Sequence, residues 1–201
     1  MSELMIFLSW YLWITLVGLV SLPIVWRFFP NLPGKGFAFA RPLGLLLWGF
    51  AFWFLGSLGV LQNDLGGVLT AFVWLILFSV FCSAKGRFAE LKTWLKANLT
   101  TLVTMEVLFF SAFALWTVVR AANPEVTYTE KPMELAFINA ILRSPGFPPL
   151  DPWLSGYAIS YYYFGYVIVS MLIRVTGVIS SIGFNLAASL WFALSALAVY
   201  G

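Results

Sequence analysis

Histidine is absent from this chain, cysteine occurs once, and charged residues make up only 9% of it. Without imidazole there is no ready general base near neutral pH and no histidine metal ligand. The lone Cys82 excludes an intrachain disulfide and leaves the redox compartment open. A net charge of +3 with no dense basic cluster carries no nucleic-acid signature, so no nucleic-acid partner is expected. The chain also lacks a glycine-rich loop of the kind that cradles nucleotide phosphates, an internal repeat and any low-complexity tract.

What is abundant is apolar surface. Hydrophobic residues make up 62% of the 201, and the mean hydropathy is +0.94. A soluble domain cannot hide that much, so the expected fold class is all-α: a polytopic bundle of transmembrane helices, multi-pass in the cell membrane, with lipids around it. A bilayer core takes about 20 apolar residues per helix. Six runs qualify, near 4–28, 43–62, 65–83, 100–122, 157–176 and 181–201. The first has no basic leader and no small-residue cleavage site, so it is a span and not a signal peptide; Pro23 is expected to kink its far end. The last run ends at Gly201 with no polar flank, which suggests the N-terminal portion of a longer protein. Two regions follow: 1–99 with three spans, and 100–201 with the remainder and a long loop, 123–156.

Lysine and arginine set the orientation. Arg27, Lys35, Arg41, Lys85, Arg87, Lys92 and Lys96 follow the first and third spans, and Arg174 falls near the inner end of the fifth. Those eight stand against Arg120, Lys131 and Arg143 on the other side. The N-terminus is therefore expected outside the cytoplasm, together with the 123–156 loop, where Glu125, Glu130, Glu134 and Asp151 outnumber the basic residues. In "AKGRFAELKTWLKANL", Phe88, Leu91 and Leu95 share a helical face. That suits either a helix on the inner leaflet or a solvated linker with snorkelling lysines. In "PMELAFINAILRSPG", Met133, Phe137, Ala140 and Ile141 share a face, with Pro132 favouring a start and Ser144-Pro145-Gly146 a stop, so an interfacial helix is expected over 132–143.

Chemistry concentrates after the fourth span. Glu130 and Glu134 lie one helical turn apart at a membrane surface, where a low dielectric favours a carboxylate as proton acceptor; equally, both suit solvated charges near a helix start. Asp151, in "PPLDPW", is held extended by prolines beside Trp153, as a sugar site would need or as a plain Asp-Pro turn would have it. Tyr162, Tyr163 and Tyr166 fall on one side of a helix, nearly opposite Tyr157 and Tyr161. An aromatic belt accounts for the outer ones, and poorly for those that run inward. Arg120 suits a phosphate or simple snorkelling. Glu106, within the fourth span, is expected to pair with Arg174. The carboxylates could recruit a divalent cation, although no ligand cluster has diagnostic spacing.

Taken together, "TEKPMELAFINAILRSPGFPPLDPWLSGYAISYYYFGY" closely resembles the signature region of the Chlor_Arch_YYY membrane family, named for a tyrosine triplet that stands here as Tyr161-Tyr162-Tyr163. "EKPME" and "PPLDPWLSG" match that pattern too. Family members are several times longer than this chain, and the specific likeness covers about 115–190. The order of parts in 100–201 is also similar to the start of GT-C glycosyltransferases: an outward span, an acidic external loop, a surface helix, a proline segment and an aromatic return to the membrane. That resemblance implies an inverting transferase with a polyprenyl-phosphate sugar donor. It puts Glu130 in the place of the catalytic acid, with Glu134 and Asp151 as alternatives. Arg120 or Lys131 would lie against the phosphate, and Trp153, Tyr161, Tyr162, Tyr163 and Tyr166 against sugar and lipid. The chain departs from the usual pattern in having Thr-Glu-Lys where an Asp-Glu pair is common, and in three extra spans ahead of the match. The competing expectation is a non-catalytic transport or assembly subunit whose external loop docks a partner.

Overall fold

The computed structural model describes residues 2–83 and 87–201. Lys85, one of the basic residues counted above, lies outside the described residues. Helix α1 (Glu3–Phe28) opens on Ser2, whose hydroxyl accepts the Met5 N–H, and runs on through Pro23. A 3-10 segment, Pro33–Phe39, turns the chain through left-handed Gly34, Lys35 and Gly36 into α2 (Ala40–Ser57). Asp64 then accepts the Gly67 N–H at 2.7 Å and so caps α3 (Leu65–Ser83). There follow α4 (Arg87–Ala97), α5 (Leu99–Ala122), α6 (Lys131–Arg143), α7 (Phe164–Thr176) and α8 (Ser180–Tyr200). Among the described residues the extended structure is limited to one bridge, Leu150 to Ala158.

Among the described residues five helices, α1, α2 with its 3-10 lead-in, α3, α5 and α8, are long and apolar enough to cross a membrane. Helices α1 and α2 meet closely: a Cβ on Gly44 would stand 2.2 Å from the Ser21 hydroxyl, so only glycine permits this crossing. Within the basic "AKGRFAELKTWLKANL" stretch, α4 spans Arg87–Ala97 and buries Leu91 with Leu22, Val25 and Ala40 while Phe88 stays exposed.

The expected fifth span, 157–176, is not a span. The helix starts only at Phe164 and has 13 residues, about 20 Å against a hydrocarbon core of about 30 Å. Both of its ends lie on one face. At the start, Trp53 near the end of α2 donates to the Tyr163 hydroxyl at 3.0 Å. At the far end, Arg174 donates to the Leu142 carbonyl at 3.0 Å and to Asn63 at 3.4 Å. Residues ahead of Phe164 have other uses for their backbone, since the Ile159 N–H goes to the Pro149 carbonyl and the Tyr157 carbonyl accepts from Asp151. Helix α7 therefore lies within one half of the bundle, packed on α1, α2, α3, α6 and α8.

Two further expectations change with it. Arg174 sits on the face of the 123–156 loop, so the basic residues divide seven to four where eight to three was expected, a smaller bias of the same sign. Glu106 does not meet Arg174; it pairs with Arg41 of α2 and accepts a hydrogen bond from Tyr11 of α1. Helix α8 starts on the loop face, where Asn185 meets Arg120, and runs antiparallel to α5 until Gly201 approaches Ala38 and Met105 near the basic loops.

Candidate functional site

The site is built on α6. Tyr128 and Thr129 take left-handed backbone conformations, φ 64° and 54°, uncommon for an aromatic and a β-branched residue. This turn delivers Glu130 to the N-cap position of α6. Phe137, Ile138, Ala140 and Ile141 are buried, so the helix lies with its apolar stripe against α7 and α8. Its last carbonyls are satisfied from elsewhere: Asn63 donates to Ile141 at 2.6 Å and Ser144 at 2.7 Å, and Arg174 to Leu142. Ser144 in turn accepts the Leu150 N–H at 2.8 Å, which anchors the next segment.

Around Phe137 three rings converge. Trp153 and Tyr161 stand 5.5 Å from it and Tyr166 5.8 Å. The Tyr166 hydroxyl donates to the half-buried Glu134 carboxylate at 3.3 Å. Tyr161 stacks on Tyr162 at 3.9 Å, with the two hydroxyls 2.6 Å apart. The Tyr161 phenol is pushed up to about 12, first by the hydrogen bond with Tyr162, then by burial, then by the negative potential of Tyr162, Glu130 and Glu134. Both glutamates are thus within electrostatic reach of one phenol. Burial and the neighbouring Glu134 push the Tyr166 phenol up as well.

The other predicted residues are placed differently. Glu130 is exposed, and Lys131 is half-buried and, among the described residues, makes no hydrogen bond or ion pair. The Asp151 carboxylate accepts the N–H groups of Trp153 and Leu154, both at 2.8 Å, and so closes its own turn. Arg120 is not with the acids: its Nε and Nη2 both reach the side-chain oxygen of Asn185 on α8. Tyr157, Tyr161 and Tyr162 precede the helix, so the helical spacing expected of them does not apply; Tyr163 is the N-cap of α7 and Tyr166 lies in its first turn. The triplet also borders a second space, a cleft of about 300 Å³ walled by Phe50, Trp53, Tyr161, Tyr162, Tyr163 and Phe164.

Sequence reasoning missed Asn63, Trp53 and the true place of Arg174. Their signal was weak: an asparagine in a short turn and one more tryptophan in an apolar run. Among the described residues no three histidine, cysteine, aspartate or glutamate side chains gather as a metal site would require.

A bundle of five crossing helices, roofed on one face by an amphipathic helix and a tyrosine-rich segment, defines a polytopic integral membrane protein. The chain belongs to the family described as "Uncharacterized membrane protein (DUF2298)", whose model matches residues 47–201. Comparison with curated proteins and with solved structures gave no significant match.

Proposed function

We propose that the protein is a glycosyltransferase that moves a sugar from a polyprenyl-phosphate donor to an acceptor hydroxyl, with the α6 face outside the cytoplasm of the cell membrane. The observation that carries this reading is Glu134, half-buried and accepting a hydrogen bond from Tyr166, one of the three rings gathered around Phe137. The resemblance to tyrosine-triplet and GT-C proteins supports it. In the proposed step Glu134 takes the proton from the acceptor hydroxyl as that oxygen bonds to the anomeric carbon. The bond from that carbon to the lipid phosphate breaks, and the phosphate leaves with the electron pair and inversion at carbon. Glu130, one turn away, orients the acceptor, and Lys131 offsets charge on the departing phosphate. Aromatic faces suit the apolar faces of a sugar ring, and the 300 Å³ cleft beside the triplet suits the first isoprene units.

Transfer from a polyprenyl-phosphate sugar by the full-length protein in membranes tests this. Glu134→Gln keeps the hydrogen bond from Tyr166 and should cut transfer by about 100-fold or more. Asp151→Asn, which keeps an acceptor for the turn, should stay near wild type. Unchanged transfer in Glu134→Gln and also in Glu130→Gln would remove both carboxylates and the proposal with them. A second reading, a non-catalytic transport or assembly subunit, is favoured by one observation: Arg120 is held by Asn185 in a different cleft from the carboxylates.

A further inference from the structure

A separate cavity of about 530 Å³ lies between the first turn of α1 and the facing ends of α5 and α8, a size typical of small-molecule pockets. Its walls are apolar because their polar groups are already used: Thr117 donates to the Phe113 carbonyl and Ser189 to the Asn185 carbonyl. It reaches from Arg120 down α5 to Ala114, six residues or roughly 9 Å along the axis, the direction an acyl chain takes into a leaflet. At the mouth, level with the helix ends where headgroups lie, stand one cation and one anion. Arg120 is fixed by Asn185, whose amide is itself tied to the Pro124 and Ser181 carbonyls, and its Nη1 has no hydrogen-bond partner among the described residues. The Glu3 carboxylate lines the same cavity and, among the described residues, has no hydrogen bond or ion pair.

We infer that this cleft binds one phospholipid with a zwitterionic, primary-amine headgroup, its phosphate on Arg120, its ammonium on Glu3 and one acyl chain between α5 and α8. A guanidinium with a free edge suits a phosphate oxygen, and a carboxylate suits an ammonium that can donate hydrogen bonds. A wholly anionic headgroup would meet Glu3 unfavourably. A quaternary ammonium would leave that carboxylate without a donor. The site is independent of the transferase proposal, because none of its residues acts in that step.

The test is native mass spectrometry of the purified protein in detergent with phosphatidylethanolamine, phosphatidylglycerol or phosphatidylcholine of matched acyl chains. Phosphatidylethanolamine should be retained about fivefold more than the other two. Arg120→Gln should abolish that retention, and Glu3→Gln should reduce phosphatidylethanolamine to the level of phosphatidylcholine. Ala114→Trp fills the crevice without touching Arg120, Asn185 or Glu3, and should displace the lipid from a protein that still elutes as a single species. Equal retention of all three lipids, a preference for phosphatidylglycerol, or full retention by Ala114→Trp would overturn the inference.

Discussion

Tyr161 reports on the charge around it. Its phenol is held up to about 12 by Tyr162, by burial and by the two glutamates, so the fold disfavours its phenolate. Stability from this group is whole below the ordinary tyrosine value of about 10 and is lost as pH rises from there through about 12. In an ultraviolet titration, Tyr162→Phe should bring the Tyr161 ionisation down most, because it removes the first cause, and Glu134→Gln should bring it down less. A titration unmoved by Glu134→Gln would mean that the glutamate and the phenol do not share a site. The same scale separates the three acids. Glu134 is the one whose carboxylate is gripped by a side chain from another element, whereas Asp151 is occupied by its own turn. Residue spacing showed that Glu130 and Glu134 lie one helical turn apart; it contained nothing about Tyr166 reaching back to Glu134.

At the level of elements, α5 is tied to α1 and α2 by a polar cluster in which Arg41 is buried and the Glu106 side chain is 32% exposed. Arg41 pairs with Glu106, donates to Thr15 at 3.4 Å and lies 4.2 Å over the Phe109 ring. Removing one partner of such a pair strands the other. Glu106→Leu should cost about 3 kcal/mol, and adding Arg41→Met should recover much of it, since two apolar groups of similar size leave no unpaired charge. Thermal unfolding of the two variants in detergent checks this. If the double variant is no more stable than the single, the pair does not act as a unit. Hydropathy marked Glu106 as costly inside a membrane and left Arg41 in the loop ahead of the second span, because pairing depends on which helices face each other and at what depth. Arg174, the expected partner, is spent on Asn63 and the end of α6.

For the molecule as a whole, the consequence of a short α7 is topological. With five crossings, the link between α7 and α8 lies on the same face as the 123–156 loop; with six it would lie opposite. Exposed Ile179 tests this directly. In a Cys82→Ala background, Ile179→Cys should react with a membrane-impermeant thiol reagent from the same side as Glu125→Cys, and Lys92→Cys from the other. Labelling of residue 179 together with residue 92 would restore the sixth span.

The sequence by itself determined a helical membrane protein, the crossing segments α1, α2, α3, α5 and α8 and the surface helix α6, and left Asp151 open between a turn and a sugar site. Each follows from local composition, period or chain stiffness, which a window of residues contains in full. Only the tertiary structure decided that 157–176 does not cross and that Glu106 belongs to Arg41. It also decided that Arg120 serves another cleft. The reason is the same in each case. A hydrophobic stretch can span or lie within one leaflet, and which it does depends on where its polar ends find partners. Here Trp53, Asn63 and the Leu142 carbonyl, distant in sequence, hold both ends of α7 on one face.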